Sequence, residues 1–525
     1  MKTNFILAVI LLFTNSLIAQ MSTESWYNMD PENDDVMGVS SNRAYDELLK
    51  DREAKPVVVA IIDGGTDIDH EDLVGKIWIN EDEIPDNGKD DDNNGYIDDV
   101  YGWNFIGDED GENMNHSNLE VTRIYRMLEP EWGDKDSADY ADNEEFMLYL
   151  ECKRLVDKKQ SSAEDFLETL HVLKSNLIFA DSILTLVLGT EDYTVDQLKK
   201  IKEEPLNELA EFMMHWMEGG VDVALVDELI KQTESEALYR YNVDFDPRYI
   251  VGDDWTNNDD PYYGNNDVMG PRAGHGTSVA GNVGAVRNNG VGPDGVCEDV
   301  QLMIIRVVPD GDEYDKDVAN AIIYAVDNGA SVINMSFGKG YSPQKEFVDS
   351  ALKYANEHDV LIVHAAGNEG VNNDVTHHYP LNIDDDGNII NSKFLVVGAC
   401  TQEKGKNLVA SFSNYGSKTV DLFAPGDFIY SCNPGDEYSY ASGTSMASPV
   451  AAGVAAIIRS YFPELTAEEV KEILMASVTV YDKKVLVPTS DGSKRKKDKF
   501  INLSVSGGVI NAYNAVKLAI ERSGN

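Results

Sequence analysis

The chain has 525 residues, with 43 Lys and Arg against 93 Asp and Glu, for a formal net charge of −50. An apolar fraction of 42% can build a large core, and the length suits two or more compact units. The charge argues against a nucleic-acid binder, which needs a basic surface to replace counterions on phosphate, and the composition carries no collagen or coiled-coil period. So many carboxylates keep a protein soluble and favour divalent cations.

Residues 1–19 read as a secretory signal peptide: Lys2, the apolar run Phe5–Phe13, then Ser16-Leu17-Ile18-Ala19 before the cut. The run is too short for a spanning helix, which needs about 20 residues. No later segment is expected to span a bilayer, so the mature protein is expected in the periplasm or outside the cell. Residues 20–54 form an N-terminal segment. Val57–Ile62 is a continuous β-branched run, as in a strand buried on both faces, and Asp63-Gly64-Gly65 follows it directly. Asp90, Asp92, Asn94 and Asp98 then place oxygen donors at positions 1, 3, 5 and 9 of a loop whose sixth residue is Gly95. That is a calcium-loop pattern, although Tyr101 stands where an EF-hand has its Glu. The similar but shorter Asp384–Asn388 reads as a turn.

Residues 111–244 have a different texture, helical and rich in Glu and Lys. Four helices are expected there, at 144–158, 163–188, 195–218 and 223–239. Thr194–Gln197 opens the third as a capping box, Pro205 kinks or splits it, and Gly219-Gly220 stops it. Met213, Met214, Trp216 and Met217 read as packing residues. Residues 55–110 and 245–525 together form the α/β part, with further strand runs at 302–308, 332–335, 360–365 and 394–399. Helical patterns at 315–328 and 346–357 alternate with them, which implies a parallel sheet with helices on both faces. Sites in such sheets form at the carboxyl ends of the strands. Cys152, Cys297, Cys400 and Cys432 allow three pairings or none, and no C-x-x-C occurs.

Three segments carry chemistry: Asp63-Gly64-Gly65, Gly274-His275-Gly276-Thr277, and Gly443-Thr444-Ser445-Met446-Ala447-Ser448-Pro449. Taken singly, each is an ordinary cap or turn. Taken together, they supply a serine nucleophile, an imidazole base that titrates near neutrality, and a carboxylate to orient it. A serine at a helix start also lies among N–H groups able to hold an oxyanion. Ala366-Gly367-Asn368, after the run ending at 365, adds a side-chain amide for the same task.

These four blocks, in the order Asp, His, Asn, Ser, resemble the subtilisin-like serine peptidases. His70-Glu71-Asp72-Leu73 resembles the segment after that family's catalytic Asp. Ser336-Phe337-Gly338 resembles the edge strand and pocket wall that bind substrate backbone. The resemblance implies a subtilisin-like α/β fold interrupted by a helical insertion. It also implies a catalytic Asp63, His275 and Ser445, an oxyanion-holding Asn368, protein or peptide substrates and structural Ca2+. There are three departures. Asp63 and His275 stand much further apart than is usual in the family, residues 20–56 are too few for its folding propeptide, and Ser278 stands where a second His is common. A second reading is a non-catalytic binding protein of the same fold whose insertion carries the function; four intact catalytic positions weigh against it.

Overall fold

The computed structural model describes residues 24–136, 139–490 and 493–524. The expected signal peptide, residues 1–19, lies outside the described residues. Two compact units emerge, one of Ser22–Asn115 with Pro247–Asn525 and the other including His116–Asp246.

The first unit is built on one large sheet. Its main strands are β1 (Val57–Asp63), β2 (Gly102–Asn104), β3 (Val300–Arg306), β4 (Val332–Met335), β5 (Leu361–Ala365), β6 (Phe394–Cys400) and β7 (Leu422–Pro425). The order is β7-β6-β5-β4-β1-β3-β2, all parallel, and Gly508–Val509 and Thr479–Val480 extend the β7 edge. Alternation along β1 explains its unbroken apolar run. Val57, Val59 and Ile61 face one core with Val279, Val283, Val450 and Val454 from helices Gly274–Gly284 and Thr444–Tyr461. Ala60 and Ile62 face the other, with Val318, Ile322 and Leu352 from helices Asp315–Asp327 and Lys345–Glu357. A strand covered on both faces has no polar side to show. This unit is therefore an α/β parallel sheet with helices on both faces, and the other unit is mainly helical.

The N-terminal segment is part of the sheet-based unit. Trp26 and Tyr27 are fully buried in its first core. Trp26 Nε1–H donates to Phe428 O at 3.1 Å and the Tyr27 hydroxyl to Asp294 O at 2.8 Å. All four cysteines are free and buried.

The helical unit departs from the expected four helices. Glu144–Leu188 is one helix of 45 residues. The expected break at Gln160–Ser162 does not occur, because the serines there are exposed and no Gly or Pro interrupts the ladder. The third expected helix is two: Val195–Leu198 with its capping box, then Leu206–Glu218 started by Pro205. The fourth ends at Glu234 and continues as a wider π turn over Ser235–Arg240. A further helix, Glu120–Trp132, has no place among the expected four, since it carries Pro130 and ends against Gly133. Leu170, Leu173, Leu177 and Leu184 pack with Leu198, Met213, Trp216 and Leu229 in the unit's core. By length and composition, Glu144–Leu188 is nonetheless apolar enough to cross a membrane, contrary to the expectation that no later segment would be.

Candidate active site

Asp63 ends β1, at the carboxyl edge of the sheet. His275 stands in the first turn of helix Gly274–Gly284. Its Nδ1–H donates to both Asp63 oxygens, at 2.8 and 2.9 Å, and the Gly64 N–H donates to Asp63 Oδ1 at 2.7 Å. The Asp63 side chain is 4% exposed and that of His275 46%, so the carboxylate is sheltered while the imidazole reaches solvent. Desolvation disfavours the imidazolium, but the Asp63 charge and hydrogen bond outweigh it and raise the His275 pKa above its ordinary value. With Nδ1 bound to the carboxylate, Nε2 is left as the basic nitrogen.

Ser445 is half-buried in the first turn of helix Thr444–Tyr461. Asn368 follows β5 and is exposed. Its Oδ1 accepts from the Thr444 N–H at 2.8 Å and the Thr444 hydroxyl at 3.0 Å, while the Gly367 N–H donates to Thr444 Oγ1 at 3.1 Å. Two donors on Oδ1 fix which end of the amide is oxygen, so Nδ2 carries the free-facing N–H groups. A Cβ built on Gly443 would lie 2.9 Å from Ser445 Oγ and 3.7 Å from Asn368 Nδ2. Serine and amide thus border one small space that only a glycine keeps open.

Ser336 ties this pair to the sheet. Its hydroxyl donates to Ser445 O at 2.9 Å and accepts from Asn334 Nδ2 at 2.9 Å; the Ser448 hydroxyl donates to Asn334 Oδ1 at 2.7 Å. Ser336 and Phe337 line a cavity of about 510 Å3 together with Asp63, Arg272 and His275. Gly338 lies instead against His378 and Tyr379. Ser278 is buried and donates to Cys432 O at 2.9 Å, a structural contact.

The calcium-pattern residues divide. Asp90 and Asp92 meet Glu83, one carboxylate oxygen from each lying within 4.8 Å of the others. Asp98 turns away and accepts the Asn87 and Gly88 amides at 3.1 and 2.8 Å. Asn94 donates to Asp92 and Asp99 at 3.2 and 3.0 Å. Gly95 adopts φ +99°, and a Cβ there would strike the Tyr262 ring at 2.1 Å. In the Asp384–Asn388 turn, Asp384 Oδ1 accepts the Asp386 and Asn388 amides.

Several contributors escape sequence reasoning. Glu83 lies outside the acidic run, and Thr444 stands inside a motif whose chemistry centres on its serine. Arg306 sits beside Asp63 across β1 and β3, and its Nε–H donates to Gly64 O at 3.0 Å. The one signal for it is a lone charge within an apolar strand run.

The subtilase family model matches residues 218–501, which hold His275, Asn368 and Ser445; Asp63 precedes the matched span. The thermophilic serine proteinase of Bacillus sp. (strain AK1) is 37% identical over 244 residues, covering 46% of this chain and 53% of that protein. The match thus spans about half of that relative's length. Subtilisin DY of Bacillus licheniformis is 38% identical over 210 residues, 39% of this chain and 70% of the relative. Thermitase of Thermoactinomyces vulgaris is 34% identical over 244 residues, 46% of this chain and 76% of the relative. With the matched span carrying three of the four site residues, and a buried carboxylate on β1 meeting the histidine among them, the chain belongs to the subtilase family.

Proposed function

We propose that the protein is an exported serine endopeptidase that hydrolyses peptide bonds in protein or peptide substrates through an acyl-enzyme. The observation that carries this reading is the two-oxygen grip of Asp63 on His275 Nδ1. It leaves Nε2 unprotonated and able to take the Ser445 Oγ proton as Oγ attacks the substrate carbonyl carbon. The oxyanion is held by Asn368 Nδ2–H and the Ser445 N–H at the helix start. His275 then gives its proton to the leaving amine. A water, deprotonated by the same nitrogen, releases the acyl group. Substrate backbone lies along Ser336-Phe337-Gly338.

Glu83, Asp90 and Asp92 suit a hard divalent cation, because their donors are all carboxylate oxygens and converge on one point. The cation is structural Ca2+, and Asn94 and Asp98 hold the loop that presents the ligands. Export follows from the lysine-led apolar start of the sequence.

A fluorophosphonate probe should label the wild type and leave Ser445→Ala unlabelled. Ser445→Ala should also lose on the order of 10⁶ in kcat, the magnitude known for a subtilisin triad, because triad members act as a unit. Wild type that neither labels nor turns over peptide substrates would favour the binding-protein reading, and unchanged turnover in Ser445→Ala would remove Ser445 as the nucleophile.

A further inference from the structure

The cations of this acidic chain are concentrated in one place. Seven of its 43 Lys and Arg stand at positions 483, 484, 494–497 and 499, and Asp498 is the one acid in those stretches. An antiparallel hairpin, Lys484–Leu486 with Lys497–Lys499, carries them as a two-stranded sheet separate from the main one. Its register sets Lys484 opposite Lys499 and Leu486 opposite Lys497, so three ammonium groups share one face. On the other face Val485 is fully buried, in a core with Tyr481, Phe500 and Leu503. The lysine face is therefore the outward one.

That face is not neutralised from within. Lys499 pairs with Asp482 at 2.9 Å, and among the described residues this is the hairpin's only ion pair. Lys483, Lys484, Lys494, Lys496 and Lys497 are exposed. Like charges directly opposite each other weaken a sheet, as Lys484 and Lys499 do here. A chain of net charge −50 has many carboxylates, yet none is set against these lysines.

The hairpin is also anchored beside the catalytic residues. A Cβ on Gly370 would lie 3.2 Å from the Thr489 backbone, so Thr489 packs against a residue two positions from Asn368. The Thr489 hydroxyl donates to Ser493 O at 3.4 Å, and Lys494 follows at once. The Val487 N–H donates to Lys496 O and the Leu486 N–H to Lys406 O, both at 2.8 Å. The acid of the Asn368–Gly370 stretch, Glu369, accepts from Asn414 Nδ2 at 2.7 Å.

We propose that this hairpin is an exosite for acidic segments of protein substrates: its lysine face holds a run of Asp or Glu in the same chain whose scissile bond lies at Ser445. The inference rests on the peptidase reading. Exposed ion pairs are individually weak, and the surrounding negative surface repels free anions, so the face retains little that arrives alone. An acidic run tethered to a bond already in the catalytic site reaches it at high effective concentration, and the weak pairs then add together. The contact speeds encounter and lowers KM, and the bond-making steps stay with Asp63, His275 and Ser445.

The test uses quenched fluorescent peptides with one cleavable core, flanked on either side in turn by five Glu, five Gln or five Lys. Wild type should cleave the better Glu-flanked peptide with kcat/KM about tenfold above its Gln counterpart, through KM. The ratio should fall to about twofold or less in 1 M salt, where the Debye length is about 3 Å. Lys494→Glu with Lys496→Glu and Lys497→Glu should bring the ratio to one or below. Lys158→Glu with Lys159→Glu and Lys200→Glu makes the same charge change at exposed positions of the helical unit and should keep the wild-type ratio. If the hairpin triple variant does not fold, Lys494→Gln with Lys497→Gln should lower the ratio by about threefold. A wild-type ratio near one, a ratio that the folded hairpin variant leaves unmoved, or one that the helical-unit variant moves equally overturns the inference. So does hairpin-dependent sedimentation with phosphatidylglycerol vesicles alongside a peptide ratio near one, which would make the face a membrane contact. Wild type that neither labels with fluorophosphonate nor cleaves any peptide overturns the peptidase reading. Fluorescence anisotropy then decides the hairpin separately: Glu-flanked peptide binding no tighter than Gln-flanked overturns the acidic exosite as well.

Discussion

Replacing Gly443 with alanine tests where the carbonyl oxygen is held. The Gly443 backbone is extended, at φ 164° and ψ 160°, so alanine meets no conformational barrier. Its methyl would stand 2.9 Å from Ser445 Oγ and 3.7 Å from Asn368 Nδ2. Carbon and oxygen settle near 3.5 Å, so the hydroxyl must rotate away by a few tenths of an ångström, at about 1 kcal/mol or less. A loss of that size lowers Tm by only about 2–4 °C. Activity suffers far more. Losing one oxyanion donor costs about 10²–10³ in kcat, and this methyl stands before the amide while displacing the nucleophile. We expect kcat/KM on a peptide ester to fall by at least about 10³, with the thermal transition nearly unmoved. Gly340, where an added Cβ would meet nothing within 4 Å, is the control, and Gly340→Ala should match wild type in both assays. If Gly443→Ala keeps kcat/KM within about tenfold of wild type, the oxyanion does not sit between Ser445 and Asn368.

Asp63→Asn should lower kcat by about 10⁴, because an amide facing Nδ1 favours the wrong imidazole tautomer. Asp63 raises the His275 pKa and activity needs neutral imidazole, so the acid limb of kcat/KM should move to lower pH in the variant; an unmoved limb would refute the coupling. By the same sign, this pair stabilises the fold fully below the ordinary histidine pKa of about 6.5, and the contribution is lost as pH rises through the raised folded value. Thr444→Val keeps the shape but strips one donor from Asn368 and orphans the Gly367 N–H, so kcat should drop about tenfold with KM little changed, and stability by about 1–3 kcal/mol. A KM effect alone would make Thr444 a substrate contact. EDTA should lower Tm and calcium restore it, by about 2.7 kcal/mol at a hundredfold excess over Kd; Glu83→Gln with Asp92→Asn should abolish the response, and an unaltered response would place the ion elsewhere.

Period and punctuation make part of this molecule legible in its sequence. The β1 run shows its two-sided burial directly, and Asp63, His275, Asn368 and Ser445, each with a glycine within two residues, mark chain turns at the sheet edge. Contacts with no local trace are not legible. Nothing near Glu83 ties it to Asp90, and nothing in His377-His378-Tyr379 reveals that an imidazole rests on Gly338 and Gly367. Helix ends fail where propensity is neutral: Gln160-Ser161-Ser162 reads as a gap, yet stays helical on an exposed face.

The burial of Trp26 and Tyr27 has a consequence for how the molecule is made. The segment they begin also meets residues nearly 500 positions away: Ala512 N–H donates to Val39 O at 2.6 Å, and Asn511 Nδ2–H to Ser40 Oγ at 3.0 Å, the latter pair 471 residues apart. Residues that leave the ribosome early therefore wait for residues that leave it late before their contacts exist. Contacts of such long sequence separation slow folding and prolong exposure of apolar surface. The amino-terminal part of this unit's core therefore closes only after the carboxyl-terminal residues have been made.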